Sequence, residues 1–146
     1  MKRLRFSIDI NAPREKVWTV LWEDASYREW TSVFAEGSYA VSDWKEGSKV
    51  QFLDPNGNNG MAAVIEKKRA NEFMSFRHLA EIKNGVEQPP AEWSGAHENY
   101  TLTPTNGGTT LTVDVDTAEA HAEMFADKFP QALGKVKALA ERAVGA

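Results

Sequence analysis

Cysteine is absent from these 146 residues, which excludes a disulfide framework, a thiol nucleophile and a thiolate metal site. No apolar run approaches the ~20 residues that a membrane span needs. The N-terminal Met1-Lys2-Arg3-Leu4-Arg5-Phe6 alternates polar and apolar residues and lacks the continuous apolar segment of a signal peptide. Charge of one sign is also scarce in runs. Seventeen Lys and Arg stand against 21 Asp and Glu, a net charge of −4, with no basic cluster to form a nucleic-acid footprint. The spacings H-E-x-x-H, G-x-S-x-G, G-x-x-x-x-G-K and G-x-G-x-x-G are all missing. Zinc chemistry, nucleophilic hydrolysis and nucleotide-dependent chemistry therefore have no motif behind them, and no metal or cofactor is expected. The expectation is a cytoplasmic protein without nucleic-acid or membrane partners. At 42% hydrophobic and 26% charged residues, residues 1–146 read as one domain with a sizeable core.

The strongest pattern is at the C-terminus, from Thr117 to Val144. Phe125, Phe129, Leu133, Val136, Leu139, Ala140 and Val144 share one helical stripe, and Glu123, Lys128, Lys135, Lys137 and Glu141 fall mostly elsewhere. Asp116 or Thr117 is expected to cap this helix, Glu119 to sit in its first turn and Gly145 to end it. Such a helix is roughly 40 Å long. Its broad apolar stripe needs a surface to cover it.

Residues 3–10 supply the first such surface, a strand with Leu4, Phe6, Ile8 and Ile10 on one face. Asn11 is expected to cap a first short helix with Pro13 in its opening turn. Ser26 and Glu29 have capping-box spacing for a second. From Gly37 the period becomes two, and strands are expected at 37–44, 49–53, 61–68, 72–82, 96–103 and 109–116. The last pair closes around Asn106-Gly107-Gly108. One strand, two short helices, six strands in meander and a long helix predict an α+β fold. In it a curved seven-stranded antiparallel sheet wraps the terminal helix.

Three segments carry a family resemblance: INAPREKVW (10–18), WSGAHENYTLTPTNGGTTLTV (93–113) and FPQALGKVKALAE (129–141). They resemble the START-like (SRPBCC), or helix-grip, superfamily, and within it the homologues of the activator of the heat-shock protein 90 ATPase. The resemblance spans essentially the whole chain. It implies a cavity between the long helix and the concave face of the sheet. The superfamily includes lipid carriers, polyketide cyclases and co-chaperone domains, so the fold alone does not select among these activities. Pro130 and Gly134 fit such a cavity, because each weakens the helix where it crosses the sheet. They also fit a simpler reading, in which Pro130 bends the helix and Gly134 makes room for a tryptophan.

Polar residues on apolar strand faces give the sharpest site candidates. Glu98 alternates with Ala96, Tyr100 and Leu102, and His78 with Met74, Phe76 and Ala80. A hairpin centred near residue 89 sets Ala80 opposite Glu98 and His78 opposite Tyr100. That makes His78 and Glu98 diagonal neighbours on one face. The candidate ligand-binding set is Trp18, Trp30, Phe76, His78, Glu98, Tyr100, Phe129 and Leu133, with Trp93 just before its strand as a further aromatic. His97 falls on the outer face and His121 near the start of the long helix. Three functions compete: binding of a small, largely apolar ligand (lipid-like or polyketide-like), a cyclase or dehydratase in the same cavity, and a co-chaperone-like interaction domain. The candidate partners are a small apolar molecule, a chaperone and a second copy of the chain.

Overall fold

A computed structural model describes residues 2–34, 36–91 and 94–142. The chain opens with β1 (Lys2–Ile10), α1 (Arg14–Trp22) and α2 (Asp24–Thr31). It continues through β2 (Tyr39–Val41), β3 (Lys49–Leu53), β4 (Gly60–Arg69), β5 (Phe73–Lys83) and β6 (Val86–Glu87). It closes with β7 (His97–Thr105), β8 (Gly108–Thr117) and the 24-residue α3 (Glu119–Arg142). Among the described residues the strands pair antiparallel throughout, and the path across the sheet runs β1-β8-β7-β5-β4-β3-β2. The seven strands of that path are the seven expected from the sequence. The two-residue β6 is an addition on the edge of β5, pairing Ile82 with Glu87 and Lys83 with Val86. Asn84 and Gly85, both at positive φ, make the two-residue turn that folds it back.

Strand faces follow the alternation of residue types. Leu111, Val113 and Val115 of β8 are buried, as are Tyr100 and Leu102 of β7 and Met74 and Phe76 of β5. Outside, Arg3 and Arg5 of β1 pair with Asp116 and Asp114 of β8 at 2.7 and 2.6 Å, so the register that turns the half-buried Phe6 toward the core also aligns these charges. The region expected as a strand from 37 to 44 is extended and paired only at Tyr39–Val41. Gly37 (φ +84°) and Trp44 (φ +61°) are left-handed, which ends the strand on both sides.

The expected N-terminal helix caps do not form. Helix α1 starts at Arg14 with Pro13 as its N-cap residue and no side-chain cap, while the Asn11 N–H donates to Glu141 Oε2 of α3 at 2.8 Å. Helix α2 starts at Asp24, before the Ser26–Glu29 pair. Glu23 alone interrupts the helical backbone there, so Ser26 lies inside the helix and donates to the Glu23 and Thr19 carbonyls. Asp116 and Thr117 complete β8, so α3 begins two residues later than expected. The Asp116 carboxylate is taken by Arg3 and by the His97 N–H. The stripe residue Val144 and the terminating Gly145 lie outside the described residues.

Helix α3 buries Phe129, Leu133, Val136 and Ala140. Its nearest strand is the edge strand β1, and α1 and α2 flank it. Phe129 stacks on Phe6 of β1 at 5.0 Å between centroids and meets Phe34 edge-on at 4.9 Å. A Cβ added at Gly134 would meet nothing within 4 Å, so this glycine does not make room for a tryptophan. The helix thus seals one side of the sheet, and the concave face of the central strands is covered only in part.

Candidate functional site

Between α2, the N-terminal half of α3 and the concave faces of β3, β5, β7 and β8 lies a cavity of about 630 Å³. Aromatic side chains form most of its wall. Trp22 sits at its centre, edge-on to Tyr100 at 5.0 Å and to Phe76 at 5.4 Å. Phe76 in turn meets Phe52 at 5.3 Å. Trp30 is 2% exposed, and its indole N–H donates to the Leu21 carbonyl at 3.2 Å, which fixes the ring against Tyr100. Phe34, Phe125 and Phe129 close the side toward α3, and the exposed Met124 and His121 stand at its rim.

A polar cluster on β5 and β7 interrupts the aromatic part of this wall. The His78 Nε2 lies 3.1 Å from Glu98 Oε1, and the Tyr100 hydroxyl donates to Glu98 Oε2. The His78 and Glu98 side chains are 11% and 20% exposed. The register that joins them differs from the expected one by four residues. Glu98 pairs with Phe76 and Tyr100 with Met74, and the His78 N–H donates to the Ala96 carbonyl at 2.8 Å. The expected centre at 89 treated the connection as symmetric, whereas β6 folds back on Ile82 and Lys83 and moves the centre toward 87. His78 stays diagonal to Glu98 in either register, because the offset changes sign and not size.

Glu98 uses both carboxylate oxygens inside the protein, holding His78 on one side and Tyr100 on the other. Burial pushes the Tyr100 phenol well above its ordinary range, and the charge and hydrogen bond of Glu98 push it further the same way. Tyr27 is raised too, by burial first and then by Glu98. The other ring nitrogen of His78 takes no part in this bond. That atom, Nδ1, and the indole Nε1–H of Trp22 are buried with no hydrogen-bond partner. Both residues line the cavity. An unpaired buried polar group costs about 1–3 kcal/mol, so two in one wall are unusual.

Of the candidate set, Trp30, Phe76, His78, Glu98, Tyr100 and Phe129 line the cavity. Trp18 and Leu133 stand behind it. Trp18 packs edge-on against Trp22 at 6.0 Å, and Leu133 is buried in the core at 2% exposure. Trp93 lies outside the described residues. His97 is on the convex face, 2.5 Å from Glu66. Sequence reasoning missed Trp22, Phe34, Phe52 and Phe125 as wall residues. Trp22 and Phe125 do lie on the apolar helix faces, but periodicity shows that a face is covered and not whether atoms or a void cover it. Among the described residues, no group of three or more His, Asp or Glu side chains could hold a metal ion.

The model of the family described as activator of Hsp90 ATPase homolog 1-like protein matches residues 11–141. The chain belongs to that family. This is the group that the segments at 10–18, 93–113 and 129–141 resemble, and its START-like architecture is the one described above. Solved structures agree on the fold. The Aha1 dimer from Colwellia psychrerythraea is 19% identical with a TM-score of 0.73, over 97% of each chain. Protein MLL2253 from Mesorhizobium loti is 19% identical with a TM-score of 0.75, over 97% of this chain and 98% of that one. A protein of the dynemicin biosynthetic locus is 16% identical with a TM-score of 0.70, over 94% of this chain and 46% of its own length. No curated protein matches the chain by sequence. Within this family member, no described helix is long and apolar enough to cross a membrane.

Proposed function

We propose that the chain binds a small, largely apolar molecule in the cavity between α3 and the sheet, with the ligand's polar group near His78 and Trp22. The supporting observation is an aromatic-walled space of about 630 Å³ in which two lining residues keep unpartnered buried polar atoms. That size falls within the ~300–1,000 Å³ of small-molecule sites, which combine apolar walls with few polar groups. In this reading Trp30, Phe76 and Phe129 supply contact area. Glu98 orients His78 and Tyr100, and Trp18 and Leu133 support the wall from behind.

A second reading, a cyclase or dehydratase, draws on the unbroken chain from Tyr100 through Glu98 to His78, which can relay a proton. A polyketide-like ligand fits either reading, and one neighbour of the same fold comes from the dynemicin biosynthetic locus. The Colwellia neighbour is a dimer, which supports a second copy of the chain as partner, and the family description supports a chaperone.

The binding reading is tested with a neutral solvatochromic dye such as Nile red. One dye molecule is expected to bind the native protein at submillimolar concentration, with a blue-shifted emission that a neutral apolar competitor reverses. Emission unchanged from buffer at saturating native protein contradicts it.

A further inference from the structure

Among the described residues lining the cavity, four carry a carboxylate (Asp54, Glu81, Glu98 and Asp116), and none is a lysine or an arginine. Two of these charges are met from outside the lining, Asp116 by Arg3 at 2.7 Å and Glu81 by Lys83 at 3.7 Å. Asp54 is held by amides and not by a cation. It accepts from the backbone N–H groups of Asn58 and Asn59 and from the Asn59 side chain. Glu98 has His78 and Tyr100 as its partners. An anionic head group entering here meets like charge with no guanidinium or ammonium to receive it. A cation meets the reverse. Each carboxylate oxygen of Glu98 accepts one hydrogen bond and has a second lone pair to offer. The wall around it also includes ten Trp, Tyr and Phe rings whose faces attract ammonium groups.

Resting on the binding reading above, we infer that the ligand's polar group beside Glu98 and His78 is a protonated amine, which only donates and so leaves the Trp22 N–H to an acceptor elsewhere on the ligand, and that the cavity rejects carboxylates of the same shape. Like-charge rejection and cation attraction both grow as the ligand leaves water, because the effective dielectric falls. Glu98 is the residue assigned to the discrimination, since it alone of the four is set among the aromatic rings with no Lys or Arg paired to it in a salt bridge.

The test uses three probes of one apolar body, naphthylmethylamine, naphthylmethanol and naphthoate, titrated against the full chain near neutral pH by tryptophan fluorescence. The amine is expected to bind on the order of tenfold or more tighter than the carboxylate, with the alcohol between. In Glu98→Gln, whose amide can still accept from Tyr100, the amine-to-carboxylate ratio is expected to fall severalfold while alcohol binding is kept. Equal affinities, a preference for naphthoate, or a ratio unchanged in Glu98→Gln overturns the inference and leaves the binding reading standing. If no probe binds, the binding reading itself fails. Should Glu98→Gln not fold, salt answers in its place. Amine binding to the wild-type chain is expected to weaken with added salt and alcohol binding to hold. Amine binding indifferent to salt overturns the inference.

Discussion

Tyr100 shows most clearly what single residues do in this cavity. It is 1% exposed, and its hydroxyl donates to a carboxylate two positions along its own strand. Burial and then Glu98 raise its pKa, and the sign of the consequence follows directly. Below about pH 10 the phenol is protonated both folded and unfolded, and it adds no pH dependence. Above that, the unfolded chain releases the proton and the native chain keeps it, so stability falls as pH rises. In a Tyr39→Phe variant, phenolate absorbance is expected to stay flat through pH 10 while the protein is folded and to rise only with the unfolding transition. A reversible titration near pH 10 with an unchanged native circular dichroism spectrum contradicts the buried Tyr100–Glu98 bond. His78, Glu98 and Tyr100 were legible as a group because strand alternation sets faces two residues at a time. The unpaired state of Trp22 was not legible, because it depends on what atoms of other elements fail to reach it.

Elements repeat the distinction between burial and lining. The Asn106-Gly107 turn and the alternation of Leu111, Val113 and Val115 specify the β7–β8 hairpin, and the observed register closes on Thr105 and Gly108. Caps were misread for the opposite reason. Tight connections leave no free residue, so Asp116 and Thr117 finish a strand and Ser26 falls inside a helix already begun at Asp24. On α3, the apolar stripe holds both Phe129, which lines the cavity, and Leu133, which does not. Leu133→Ala is expected to cost about 2–5 kcal/mol of stability, the usual range for a buried leucine. Nile red affinity per folded molecule should stay nearly constant. A variant of unchanged stability that has lost dye binding would place Leu133 in the cavity wall and contradict the helix orientation described here.

Across the whole molecule, the position of α3 decides that there is a cavity at all. Its nearest approaches are to β1, α1 and α2, so the aromatic concave face of the central strands β5 and β7 is covered by Trp22 of α1 and Trp30 of α2 and opens beside them on a space that α3 does not fill. The family resemblance anticipated that space, whereas composition and periodicity anticipated only a sheet covered by a helix. Methyl groups mark its wall: Met61 on β4, Ala96 before β7, Val115 on β8 and Met124 on α3 all line it. Val41 and Val86 are exposed elsewhere, at 50% and 60%. Intermolecular nuclear Overhauser effects between naphthylmethanol and the methyl groups of the full chain therefore test the account most directly. It predicts cross-peaks to Ala96, Val115, Met61 and Met124 and none to Val41 or Val86. Cross-peaks confined to Val41 and Val86, or spread evenly over exposed methyls, would contradict it.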